Sequence, residues 1–212
     1  MTEEGYVKFI CDFKKKDCVS SDDIKEMNEC RQKLYDSGLM GATEEGIGFG
    51  NISIRDSFTN FIISGTATGN ISKLSEKDYC KIIDFDIDNN YVKCEGLVKA
   101  SSETLTHAAV YASSEIIDED FEINVVVHVH NHKLWGQLLA DELAGKIDIA
   151  ITSKDATYGT PEIANEIIRL FNEDKEKLMK HKLIVMAGHE DGIISFGKDV
   201  KEATDIILNL LN

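Results

Sequence analysis

Proline occurs once in the 212 residues, at Pro161, and no Ser/Gly-rich stretch appears. The chain therefore lacks a linker of the usual composition and reads as one domain over residues 1–212. There are five cysteines, an odd number with no C-x-x-C spacing. That pattern excludes a disulfide framework, and bland thiols in a reducing compartment place the protein in the cytoplasm. No apolar run approaches the roughly 20 residues that a spanning helix needs. Met1 to Gly5 also lacks the basic and apolar regions of a signal peptide. Positive charge is scarce, with 23 Lys plus Arg against 38 Asp plus Glu and a formal charge of −15. Duplex nucleic acid and anionic membranes are thereby excluded as general partners. An anionic small molecule would need a local site that supplies donors against that field.

What is present is ordinary for a folded domain, at 42% hydrophobic and 29% charged residues. Tyr6 to Phe13 alternates like a strand, and Ser21-Asp22-Asp23 caps a helix with Ile24, Met27, Leu34 and Tyr35 inward, stopped near Gly38. Short β-type runs follow at Asn51–Arg55, Phe61–Ser64, Ile82–Asp86 and Tyr91–Cys94, spaced by turn residues as antiparallel hairpins are. A helix is expected from Ser101-Ser102, carrying Leu105, Ala108, Ala109 and Ala112 inward. Ile123 to His130 then reads as a strand covered on both faces. Helices are predicted at Leu134–Ala144, from Thr160-Pro161-Glu162 with Ile163, Ile167, Leu170 and Phe171 buried, and at Val200–Leu211; strands are predicted at Leu183–Ala187 and Gly192–Phe196. The sum is an α/β fold whose largely antiparallel sheet carries helices on its faces.

Three of the six histidines fall in His128-Val129-His130-Asn131-His132. On a strand, residues two apart share a face about 6.6 Å apart, which lets His128 and His130 converge on one ion; His132, roughly 13 Å from His128, is out of reach. A third ligand must come from elsewhere. His189, where an apolar strand meets a loop, is a better candidate than His181, which sits between two lysines. The spacing alone leaves open that these are unconnected core or surface histidines. Ser101 and Ser102 at a helix start form an anion cradle with Glu103 beside it, and ordinary capping explains the same residues. Gly48–Asn51 and Gly65–Gly69 read equally as turns. His107, one turn past Glu103, reads as a packing residue behind the site.

In chain order, six segments resemble the class II aldolase/adducin family, from about Ile24 to the C-terminus. They are Gly50-Asn51-Ile52-Ser53-Ile54-Arg55, Ser64-Gly65-Thr66-Ala67-Thr68-Gly69, Ala100-Ser101-Ser102-Glu103, Val127-His128-Val129-His130, Tyr158-Gly159-Thr160, and Gly188-His189 leading to Gly192-Ile193-Ile194-Ser195-Phe196-Gly197. The resemblance implies a three-layer α/β/α domain on a mostly antiparallel sheet. It implies zinc, or another divalent metal, on His128, His130 and His189, with Glu103 as acid/base. Asn51, Thr68, Gly69, Ser101 and Ser102 would hold a substrate phosphate. The implied activity is aldol cleavage of a ketose phosphate to dihydroxyacetone phosphate and an aldehyde. Epimerisation, dehydration, decarboxylation and a noncatalytic adducin-like module are the alternatives. Similar members form fourfold tetramers with sites between subunits.

Three departures stand out. Ala100 replaces a usual proline, and Glu190-Asp191 enlarges the loop after His189. The stretch Asn131–Thr157 holds no tyrosine to protonate the aldehyde oxygen, leaving Tyr158 nearby in a context with another counterpart in the family. Residues 1–20 lie outside the resemblance.

Overall fold

The computed structural model describes residues 7–57, 59–117 and 121–211. Its centre is a nine-stranded sheet. Strands β1 (Ile10–Lys15), β4 (Asn51–Arg55), β5 (Phe61–Ser64), β6 (Tyr79–Asp86), β7 (Tyr91–Gly96), β8 (Val125–His130), β9 (Ala150–Ile151), β10 (Leu183–Val185) and β11 (Gly192–Gly197) lie in the order β1-β7-β6-β5-β4-β8-β11-β10-β9. A separate small hairpin joins β2 (Gly41–Ala42) to β3 (Gly48–Phe49). The six inner pairings are antiparallel, and only the outermost pairs, β1 with β7 and β9 with β10, are parallel. The hairpin reading of the first half therefore holds, and β4 to β7 are successive neighbours.

Helices cover both faces. On one side α2 (Thr104–Ile117), α4 (Pro161–Glu173) and α5 (Lys175–His181) bury Leu105, Ala108, Ile167, Phe171 and Leu178 against Ile63, Val126, Ile194 and Phe196. On the other, α1 (Ser21–Asp36), α3 (His132–Leu143) and α6 (Val200–Asn209) bury Met27, Leu34, Leu138 and Ile207 against Ile52, Val127, Val129 and Ile193. These are the three layers expected. Ser20 and Asp23 form a reciprocal capping box at the start of α1, and Pro161 occupies the first turn of α4, where its missing N–H has no helical partner to lose. Among the described residues no helix is long and apolar enough to cross a membrane. All five cysteines are free thiols.

Several expectations need correction. The first strand begins at Ile10 rather than Tyr6, which lies outside the described residues; pairing with β7 decides the register, and Asn90 C=O accepts the Ile10 N–H. Helix α2 starts at Thr104, because Ser101–Glu103 form a turn closed by the Thr104 N–H on the Ser101 carbonyl. Ala112 is exposed, since a surface hollow lined by Phe61, Phe85 and Tyr111 opens beside it. The helix at α5, the short strands β2, β3 and β9, and a 3-10 turn at Glu76–Asp78 are additions, too short to show a period.

Candidate active site

The pleat of β8 sends Val125, Val127 and Val129 beneath α1, α3 and α6, so Val126, His128 and His130 turn to the side of α2. There the two imidazoles meet, with Nε2 atoms 2.9 Å apart. His189 joins them from the turn between β10 and β11, its ring centroid 5.1 Å from that of His128 and 4.7 Å from that of His130. One ring nitrogen from each of the three lies within 4.8 Å of the others. Gly192 makes the room, for a Cβ there would stand 3.2 Å from ring atoms of both His128 and His189. Burial, and then the neighbouring rings, hold His128 well below the ordinary histidine range, so its ring is neutral and keeps a lone pair.

The donor set fits a divalent transition ion. Two ligands each about 2.1 Å from a tetrahedral ion lie roughly 3.4 Å apart, a spacing between the 2.9 Å of the His128–His130 pair and the 4.8 Å that bounds the whole set. Three imidazoles also leave a fourth position for another ligand.

Glu103 stands in the turn before α2 and is 2% exposed. Its Oε2 accepts a hydrogen bond from Thr106 Oγ1 at 2.6 Å, and its Oε1 lies 3.7 Å from His189 Nδ1. A carboxylate is thus aimed at the imidazole cluster with one oxygen already fixed.

The opposite wall is made of loops. After β5, Thr66 N–H donates to the Lys99 carbonyl at 3.0 Å and Gly65 pairs with Ala100 in an isolated bridge, laying the Thr68–Gly69 turn beside Ser101 and Ser102. Gly69 passes so close to Phe49 that a Cβ would meet its backbone nitrogen at 2.5 Å. Asn51 enters at the start of β4, opposite His128 in the strand register. Asn51, Thr68, Gly69, Ser101 and Ser102, with Glu103 and the three histidines, all line one open cleft, together with Phe49 and Tyr158. All nine residues singled out from the sequence are therefore in one place. Among the described residues lining it there is no lysine or arginine.

The remaining histidines fall elsewhere. His132 is exposed and bonds Asp191 at 2.6 Å, while His181 ends α5. His107 is buried behind the cleft with Nδ1 2.7 Å from Ser53 Oγ, and burial drives it down to about 3. Asp191 adopts a left-handed φ of 68°, which lets the enlarged loop turn back into β11.

The family's sequence profile, described as the class II aldolase and adducin N-terminal domain, matches residues 25–211. The chain belongs to this family. Solved structures share the fold. L-fuculose-1-phosphate aldolase from Thermus thermophilus superposes with a TM-score of 0.58 at 18% identity, covering 88% of this chain and 87% of that one. YgbL from Klebsiella pneumoniae, provisionally described as an aldolase/epimerase/decarboxylase, gives 0.60 at 18% identity over 91% and 87%. The N-terminal class II aldolase domain of a conserved Thermoplasma acidophilum protein gives 0.57 at 16% over 89% and 90%. No curated protein matches the sequence.

Two residues that serve this class II aldolase-type cleft were not singled out from sequence. Thr106 fixes Glu103, and the signal was its i+3 spacing on a helix. Arg31, 2% exposed, donates to the carbonyls of Thr68 and Gly69 at 3.2 Å and of Ser72 at 2.8 Å, so it pins the loop from behind. An arginine falling in the apolar stripe Ile24, Met27, Arg31, Leu34 was the clue.

Proposed function

We propose that the protein is a zinc-dependent aldolase that cleaves a ketose phosphate to dihydroxyacetone phosphate and an aldehyde. One observation carries this reading: three converging imidazoles and a buried carboxylate share a cleft with a cluster of hydroxyls and loop backbone suited to an anion. A noncatalytic module has no need of that set. His128, His130 and His189 would hold the metal, which when bound supplies a Lewis acid for the substrate's oxygens. Thr68, Gly69, Ser101, Ser102 and Asn51 would bind the phosphate and so orient the carbon chain across the cleft. Glu103, held by Thr106, takes the proton from the carbon next to the carbonyl in the condensation direction and returns it in cleavage. A fourfold assembly in the cytoplasm is part of the same reading.

The test uses the half-reaction that needs no aldehyde. In heavy water with dihydroxyacetone phosphate alone, the zinc-loaded protein should exchange one C–H for deuterium by NMR. Glu103→Gln should keep the metal and slow exchange by about a hundredfold or more, since an amide has the carboxylate's shape without its basicity. A folded, zinc-loaded sample that exchanges nothing would overturn the dihydroxyacetone-phosphate assignment and favour dehydration or decarboxylation.

A further inference from the structure

The loop enlarged by Glu190-Asp191 brings together a second set of metal-ligating side chains, outside the imidazole cluster. His132 Nδ1 stands 2.6 Å from Asp191 Oδ1 and 3.8 Å from Glu190 Oε1, and one ligand atom from each of the three lies within 4.8 Å of the others. Ligands about 2.1 Å from a tetrahedral ion lie roughly 3.4 Å apart. That spacing falls between the two separations from Nδ1. The set joins an imidazole to two carboxylates, which suits a divalent transition ion better than calcium or magnesium, since those prefer oxygen alone.

Two neighbouring segments carry the set, and the sheet holds them in register. His132 opens α3 two residues after His130, while Glu190 and Asp191 precede Gly192, which pairs with His130 across β8 and β11. Asn131 ties the segments together: its N–H donates to the Asp191 carbonyl at 3.0 Å, and its side chain caps α3 by accepting from the Leu134 N–H at 2.9 Å. The backbone beneath the ligands is thus fixed before an ion arrives, which removes part of the ordering cost of binding. Charge points the same way. The protein carries −15, and among the described residues lining the hollow that holds the set there is no lysine or arginine. An exposed imidazole pairs only weakly with carboxylates in water, whereas a divalent ion would neutralise both. Phe49 and His130 line this hollow and the cleft alike. We propose that His132, Glu190 and Asp191 form a second, solvent-exposed site for a divalent transition ion at the rim of the cleft, separate from the three imidazoles. Being open to water, it holds its ion less tightly than the imidazole site and releases it on dialysis. The proposal does not depend on the reaction assigned above.

Trp135 reports on the site. It is the chain's one tryptophan, its ring lies 6.3 Å from that of His132, and its Nε1 donates to the Met186 carbonyl at 3.0 Å, which fixes the indole. Nickel, whose unpaired electrons quench a nearby indole, is titrated into the zinc-loaded full-length protein, with bound zinc measured before and after. Fluorescence should fall saturably with one nickel per chain while the zinc stays in place. His132→Ala should weaken this binding by about tenfold or more, and so should Glu190→Gln combined with Asp191→Asn. Asparagine tolerates the left-handed φ of 68° at position 191, so the double variant keeps the loop while removing its charge. His181→Ala, which changes a histidine outside both sets, should match the wild type. Quenching that does not saturate overturns the proposal, as does quenching of equal affinity in wild type and His132→Ala. Zinc released in step with the quenching puts the nickel on the imidazole cluster and overturns it too.

Discussion

His128 and His132 are four residues apart, about one turn of a helix or roughly 13 Å along a strand, and what separates their roles is where the strand stops. Strand β8 ends at His130, so His128 and His130 share a buried face while His132 opens α3 at the surface beside Asp191. His128→Ala and His189→Ala should each abolish metal binding, measured by atomic absorption after dialysis, because two imidazoles rarely suffice for a tight site. His132→Ala should keep about one ion per chain. The reverse pattern would overturn the ligand assignment. The pair His128 and His130 was legible in the sequence because a period of two places side chains on one face. That His189 completes the set depends on β10 and β11 turning back beside β8, which no local spacing reports.

Between elements, the decisive contact is the one from α1 to the loop after β5. Arg31 sits among Met27, Cys30 and Leu34 on the buried face of α1 and holds three carbonyls of residues 68–72 in place, its ring neighbour Tyr35 lying 5.0 Å away. Burial depresses its affinity for protons, yet a guanidinium stays charged, so those carbonyls are its compensation. Arg31→Met should remove this donor from all three, leaving the Thr68 carbonyl only the Ile71 N–H, and cost about 2–3 kcal/mol, lowering the melting temperature by about 5–10 °C. Phosphate binding should weaken with zinc content unchanged, since the loop and the imidazoles are held by different elements. A variant that melts like the wild type and binds phosphate normally would show that the loop holds its shape alone. Hairpin order β4 to β7 could be read from turn residues. The arrival of Arg31 under the loop could not, because α1 and residues 68–72 are far apart in the chain and meet only through packing.

For the whole molecule, acidity acts through groups that the fold keeps from taking up protons. His107, on α2, lies fully buried against Ser53 of β4, and burial holds it at about 3, below its ordinary value near 6.5. The unfolded chain therefore binds a proton there that the folded chain refuses, and stability falls as pH drops from about 6.5 toward 3, by about 1.4 kcal/mol per pH unit from this group. Urea unfolding of the metal-free protein between pH 7 and 4.5 should show that slope, and His107→Gln should flatten it while lowering stability at pH 7. An unchanged slope in the variant would remove His107 as its source. The sequence by itself determined the helices and strands of the layers, the order of the central hairpins, the shared face of His128 and His130 and the turns at Gly65–Gly69 and before α2, because period, capping and turn chemistry are local properties of the chain. Only the tertiary structure decided that these segments share one cleft, that α2 starts after Glu103 instead of before it, and that Arg31 lies beneath the loop after β5. Those outcomes follow from sheet register and from side chains meeting across long sequence separations, where the physics is that of packing and has no period to read.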